Sequence, residues 1–348
     1  MAGGGVALVT GATGFIGLRL VKTLVERGEK VKALIRQRRL DYPPGYEVDG
    51  FCPLDHPAVK VVYGDISDPR AISETMQGCS QIYHLAGYAK NWAPDATVFY
   101  KVNVQGLLNV IKAAQQADVE RIVWTSTQLT CGPTPPGQLA TEETLPRDGL
   151  YWTDYQRSKR QAELLAFEAV QREHVPVVIV NPTRVYGPGY LSEANTATRL
   201  IDLRARGRFP FLPNRGRNIG NWVYVDDVVQ GLLLAMQRGR IGEKYILGGE
   251  NASLREFCQA IDRVNGRSRL KIPLLGFSTW GFAYYRQFLA DFLGVYPTIT
   301  PGWVRIFFAD WPCTSRKAET ELGYRITPLE KGLQLTCRWL QETRKLRP

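Results

Sequence analysis

Apolar positions along the chain fall into short continuous runs separated by helical stripes. Val6–Val9 is one such run; Leu18, Leu20, Val21, Leu24 and Val25 then recur at the spacing of one helix face. Further runs at Val31–Ile35, Val59–Tyr63, Gln81–Leu85, Arg121–Ser126 and Val177–Val180 predict strands. Helices are expected over 69–77, 97–117 and about 154–170, the last capped by Thr153 or Asp154. Strands this uniformly apolar, alternating with helices, predict an α/β fold: a doubly wound parallel sheet covered on both faces. The Pro- and Gly-containing stretch 40–58 reads as a loop.

Beyond Gly187 the rhythm changes. A helix is expected over 192–208, and a strand-to-helix step runs from Val223-Tyr224-Val225-Asp226-Asp227 to Met236. A short strand at Lys244–Leu247 and a helix over 253–265, capped by Ser253, follow. Residues 270–313 are rich in Trp, Tyr, Phe and Pro. These shifts divide the chain into a larger α/β domain, 1–186 and 217–250, and a smaller mixed lobe, 187–216 and 251–348.

Composition narrows the classes. At 348 residues, 44% hydrophobic and 22% charged, the chain is long enough for a large core. Its +11 formal charge is spread out, without an aromatic–basic motif, which reads as a solvated basic surface with no nucleic-acid partner. The six cysteines and three histidines are scattered with no C-x-x-C pair; no metal is expected, and a reducing, cytoplasmic setting is. Neither a secretory leader nor a membrane span is expected.

The candidate chemistry begins at Gly11, Gly14 and Gly17, directly after the first strand. Gly11 permits a tight turn, Gly14 permits close approach of a pyrophosphate, and Gly17 lets the helix lie against the strand. Thr13, Phe15 and Ile16 complete this cradle, and the helix N-terminus adds partial positive charge. Arg36, with Arg38 and Arg39, follows the second strand, where an arginine suits the 2′-phosphate of NADP and a carboxylate the 2′-OH of NAD. Asp65 and Ile66 end the third strand, where a carboxylate can accept from the adenine amino group. Ala86 and Gly87 end the fourth and leave space for a ribose. Asn103 on the 97–117 helix, and Thr125, Pro182 and Val185 at or after strand ends, complete the expected cofactor contacts.

Tyr155 and Lys159, in YQRSK, stand one helical turn apart on one face. A phenol ionises near pH 10, and lowering that by about three units takes roughly 4 kcal/mol, which a close ammonium and an oriented cofactor dipole can supply. Tyr155 would then exchange a proton with an alcohol or ketone whose oxygen Thr127 positions. Trp92 and Tyr190 are candidate substrate contacts. The aromatic segment Ile272–Trp311 reads as a lid over an apolar substrate, a peripheral membrane contact, or packing of the small lobe.

The motifs GATGFIG, GDISD, HLAG, WTSTQLTCG, YQRSK and NPTRVYGPG, in this order, resemble the extended short-chain dehydrogenase/reductases of the NAD-dependent epimerase/dehydratase family. Within that family NWAPD, GRIGEKYILGGENASLREF and SRKAETELGY look like hopanoid-associated epimerase-like proteins. TDYQRSK, GPGYLSEAN, ILGGENAS and ELGY look like plant farnesol dehydrogenase; both are of the dihydroflavonol-reductase-like kind. The resemblance implies a Rossmann fold and NADP or NAD, with Thr127 acting beside Tyr155 and Lys159. It also implies a homodimer formed through the helices at 97–117 and 155–170. It implies hydride transfer to or from an alcohol or carbonyl substrate, apolar in the isoprenoid or flavonoid manner. The alternative is a nucleotide-sugar epimerase or dehydratase with tightly held NAD. Against that alternative, Gly220 stands where such enzymes carry a diphosphate-binding arginine, with Arg215 or Arg217 as substitutes.

Overall fold

The computed structural model describes residues 5–36, 52–147, 149–189, 191, 193–274 and 276–345. In chain order, β1 (Val6–Thr10), α1 (Phe15–Glu26), β2 (Lys30–Ile35), β3 (Val59–Tyr63), α2 (Pro69–Met76) and β4 (Cys79–His84) come first. Then come α3 (Thr97–Tyr100), α4 (Gly106–Gln115), β5 (Arg121–Thr125), α5 (Asp154–Glu173) and β6 (Val177–Pro182). The remainder holds β7 (Arg184–Tyr186), α6 (Thr196–Ala205), β8 (Phe211–Pro213), β9 (Ile219–Tyr224), α7 (Val225–Arg238) and β10 (Lys244–Leu247). It ends with β11 (Glu250–Ser253), α8 (Leu254–Val264), β12 (Ile272–Leu274), α9 (Gly276–Leu293), α10 (Pro301–Phe308) and α11 (Leu329–Lys345).

Seven strands form one parallel sheet, in the order β10-β6-β5-β4-β1-β2-β3. Because successive strand side chains point to opposite faces, Ala7 and Val9 enter one core while Leu8 enters the other. α1 and α7 cover the first face, and α2, α4 and α5 the second. Arg19 clamps α1 to α7 through both Asp226 oxygens, at 2.6 and 3.0 Å. Each fully buried Leu, Ile or Val contributes about 1.5–3 kcal/mol. This is the doubly wound Rossmann arrangement, and chain order reverses where β1 lies between β2 and β4. Ligands of such sheets bind there, beyond the strands' carboxyl ends.

A second unit sits beyond that edge. β9 pairs parallel with β7 and antiparallel with β11, and β8 pairs with β12. Trp222 of β9 stacks on Phe257 of α8 at 3.7 Å, in a core shared with α6 and α11. Buried Arg204 grips both Asp262 oxygens, at 2.8 and 2.6 Å, joining α6 to α8.

Several boundaries depart from the periodicity. The 97–117 helix is interrupted by a π turn over Lys101–Gln105, and β5 stops at Thr125, before Ser126. The 192–208 helix is shorter, beginning at Thr196 after a 3₁₀ turn. β7, β8 and β12 went unread because three residues are too few to show a period of two, and β11 because its Glu250–Ser253 stretch has no apolar run. α9 lay inside the stretch read only as aromatic-rich, since its bulky residues form no conventional core-facing stripe.

Candidate active site

The glycine turn has no room for side chains. Gly11 has φ +71°, and a Cβ there would lie 2.7 Å from the Ala86 nitrogen. A Cβ on Gly17 would lie 2.1 Å from the Gly11 carbonyl oxygen, so the third glycine keeps α1 against its own turn. Gly14 caps α1 with no side-chain hydrogen bond, and the first turn holds no acid. The first amides of α1 are therefore left for an anion, which fits a pyrophosphate. Thr13 lies in this turn, buried Phe15 opens α1 with its ring against Gly189, and Ile16 is partly buried behind it. The Thr10 hydroxyl bonds the His84 ring nitrogen at 2.7 Å and accepts from the Ala86 amide at 3.2 Å, pinning β1 to β4 at the switch point.

On the adenosine side, Asp65 accepts from the Ser67 amide at 2.8 Å. Burial pulls its pKa up, but the Ser67 hydrogen bonds and the charges of Arg36 and Lys101 outweigh that and hold it below the usual carboxylate range. Arg36 is exposed directly after β2. Buried Ile66 is held by its carbonyl, which accepts from Asn109 at 2.9 Å. Arg38, Arg39 and Tyr190 lie outside the described residues.

Thr153, not Asp154, caps α5, its hydroxyl accepting from the Gln156 amide at 3.2 Å. The structure brings Tyr155 close enough to the Thr127 hydroxyl for that group to favour the phenolate. One turn on, the Lys159 ammonium donates to the Thr125 carbonyl at 2.8 Å and lies 5.2 Å from the Trp124 ring centre. A Cβ on Gly87 would be 3.2 Å from both Lys159 Nζ and Asn103 Oδ1, so these three groups meet beyond β4. Asn103 sits in the π turn, accepting from the Tyr88 amide at 2.7 Å and donating to Ser158 at 2.9 Å. The buried Thr125 hydroxyl finds no hydrogen-bond partner among the described residues, leaving a polar contact for a ligand. Pro182 ends β6 beside β10, and Val185 lies partly buried in β7.

In the protein alone, burial pushes the Tyr155 phenol up to about 12, opposed by Thr127. Burial also lowers Lys159 to about 8, opposed by Glu163. The ammonium is directed at the Thr125 carbonyl; Lys159 is buried and Tyr155 partly so.

Two residues escaped the sequence reading. Fully buried Glu163 accepts from Ser126, Thr130 and Asn181 at 2.7–2.8 Å, with Arg160 and Lys244 at 3.4 and 3.8 Å. Its signal was visible: Tyr155, Lys159 and Glu163 continue one stripe at four-residue spacing. The other is Arg184. A Cβ on Gly220 would lie 3.0 Å from its guanidinium, which stands 5.2 Å from the Trp222 and 5.5 Å from the Phe307 ring centres. Burial pulls its pKa down to about 10, and no acceptor meets it among the described residues. Gly220 thus does not leave the lobe without a cation: the cation comes from β7. Trp92 packs edge-on against Tyr296 at 5.8 Å and lines a 640 Å³ cavity with Trp152 and Thr153; neither Thr127 nor Tyr155 lines it.

Burial, reinforced by the Lys159 charge, pushes the His84 pKa down to about 3. The unfolded chain takes up that proton near pH 6.5, so stability should fall as pH drops from there toward about 3, by up to about 1.4 kcal/mol per unit. Urea unfolding of His84→Gln across that range is expected to show a pH slope shallower by about one proton.

The NAD dependent epimerase/dehydratase family matches residues 7–248. A Synechocystis sp. protein named "Putative dihydroflavonol 4-reductase" is 32% identical over 339 residues, covering 96% of this chain and 94% of its own length. The crystal structure of gox2253 is 30% identical with a TM-score of 0.79, covering 97% of this chain and 98% of that one. That of DesIV, a dTDP-glucose 4,6-dehydratase from Streptomyces venezuelae with NAD and TYD bound, is 26% identical with a TM-score of 0.74, covering 98% of each. The parallel sheet with its glycine turn, the Thr127–Tyr155–Lys159 grouping and these similarities agree: the chain belongs to the NAD-dependent epimerase/dehydratase family, the extended short-chain dehydrogenase/reductases.

Proposed function

We propose that this enzyme is an NAD(P)-dependent oxidoreductase acting on an alcohol or carbonyl group of a largely apolar substrate. The observation that carries the reading is the Lys159 ammonium, fixed on the Thr125 carbonyl and meeting Asn103 at Gly87, one turn from Tyr155 beside Thr127. The α1 amides would hold the pyrophosphate, Asp65 the adenine, and Lys159 with Asn103 the nicotinamide ribose; Arg36 favours the 2′-phosphate of NADP. When bound, the cofactor supplies the hydride acceptor or donor. Thr127 then fixes the substrate oxygen, and Tyr155 Oη gives it a proton or takes one away.

A second reading, an epimerase or dehydratase acting on a nucleotide sugar, is favoured by Arg184, whose guanidinium fills the space opened by Gly220. The two separate experimentally. The oxidoreductase should purify without cofactor and oxidise added NADPH or NADH when given apolar ketones or aldehydes. Tightly retained NAD, with turnover of a nucleotide sugar and no net change in reduced cofactor, would replace the first reading by the second. Arg184→Ala should then raise KM for the sugar.

A further inference from the structure

α9 is inside out. Its small residues Thr279, Ala283 and Ala290 face the protein and are buried, while Phe277, Tyr284, Tyr285, Phe288 and Phe292 are 54–75% exposed. An aromatic side chain offers about 150–250 Å² to burial, so this stripe presents several hundred Å² of apolar surface to water, more than isolated surface aromatics explain. Exposed Arg267 and Arg305 flank α9 in sequence and Arg286 lies on it, against the helix's single acid Asp291, while Lys271 is already paired with Asp262 at 3.0 Å. The exposed Arg305 guanidinium lies 6.0 Å from the Trp280 ring centre, at the margin of the stripe.

We propose that α9 is an interfacial helix that docks this enzyme on an anionic bilayer surface. The helix lies flat: among the described residues no helix is long and apolar enough to cross a membrane. Its aromatic stripe enters the headgroup–acyl boundary by about 5–10 Å, and the surrounding cations meet anionic lipid. The same charges disfavour a second copy as the occupant, because two such faces would bring like-charged rims together. The homodimer expected through the helices at 97–117 and 155–170 uses other elements.

The opposite side of α9 gives the docking a use. Gln287, Ala290, Asp291 and Gly294 wall the 640 Å³ cavity whose far side is Trp92, Trp152 and Thr153. Thr153 stands two residues before Tyr155 on the cap of α5. A substrate leaving the bilayer beneath α9 would therefore enter at the cap of α5, from which the proposed acid/base is two residues along the chain; this last step alone rests on the oxidoreductase reading.

The test is co-sedimentation of the full chain with vesicles of phosphatidylcholine alone or with added phosphatidylglycerol, a readout independent of turnover. Binding to the anionic vesicles should exceed binding to the neutral ones by about tenfold or more, since each basic residue near the surface counts for about a fivefold gain. Phe288→Ser/Phe292→Ser should lose binding to both. Arg267→Gln/Arg305→Gln should lose only the preference for anionic lipid. Unchanged NADPH binding by each variant verifies that it is folded. Failure of the wild type to sediment with either vesicle would overturn the proposal. So would self-association of the wild type that Phe288→Ser/Phe292→Ser abolishes without any vesicle binding.

Discussion

Tyr155→Phe is expected to lower kcat by about 100- to 10,000-fold, the range typical of a positioned acid/base, while cofactor affinity changes little. The substitution removes one oxygen from a ring whose remaining contacts are unaltered, so stability should hold. Direction and pH dependence follow from the two titrating groups. A phenol held near pKa 12 is protonated at neutral pH and is a loaded acid, so carbonyl reduction should proceed readily at pH 7. Alcohol oxidation needs that proton removed and should quicken as pH rises. Lys159, at about 8 in the ligand-free protein, carries its charge below that pH and loses it above. Reduction should therefore decline on the alkaline side of about pH 8. Stopped-flow turnover in both directions, from about pH 6 to 10, measures the two opposed slopes. Full activity of Tyr155→Phe would remove the residue from the chemistry.

Glu163→Ala should be the most destabilising single change at the site, by about 3–5 kcal/mol. It removes the buried acceptor of Ser126, leaves Thr130 and Asn181 the Thr127 carbonyl in its place, and leaves Lys244 and Arg160 without their carboxylate. Glu163→Gln keeps an acceptor oxygen while discarding the charge, so its cost should be smaller. The Gln variant also isolates the electrostatic part of the role. Glu163 raises the Lys159 pKa, so its neutralisation should move the alkaline decline to lower pH while the protein stays folded. Urea unfolding gives the stability, and the pH–rate profile gives the displacement. An unmoved profile would make Glu163 a purely structural anchor.

Much of this site was legible in the chain because its signals are local. The glycine turn after a strand specifies backbone room and exposed amides within seven residues, and a Tyr–Lys pair four apart shares a helix face whatever surrounds it. The alternation of Ala7, Leu8 and Val9 needs only the pleat to send them into different cores. Arg184 could not be read in this way. Its approach to Gly220 depends on β7 pairing with β9, and strands of three residues carry too little pattern to predict that pairing. The π turn that seats Asn103 lies within a stretch whose apolar spacing reads as unbroken helix.

The sequence by itself determined the parallel sheet, the dinucleotide cradle and the Tyr155–Lys159 face, because each follows from backbone geometry over a few residues. Tertiary structure alone decided the rest. It decided that burial raises the phenol's pKa, since desolvation depends on what covers a group. It decided that Glu163 meets donors from β6 and from the turn after β5 rather than solvent, and that α9 turns its small residues inward and its aromatics out. Periodicity tells which residues share a face; only packing tells which face is covered.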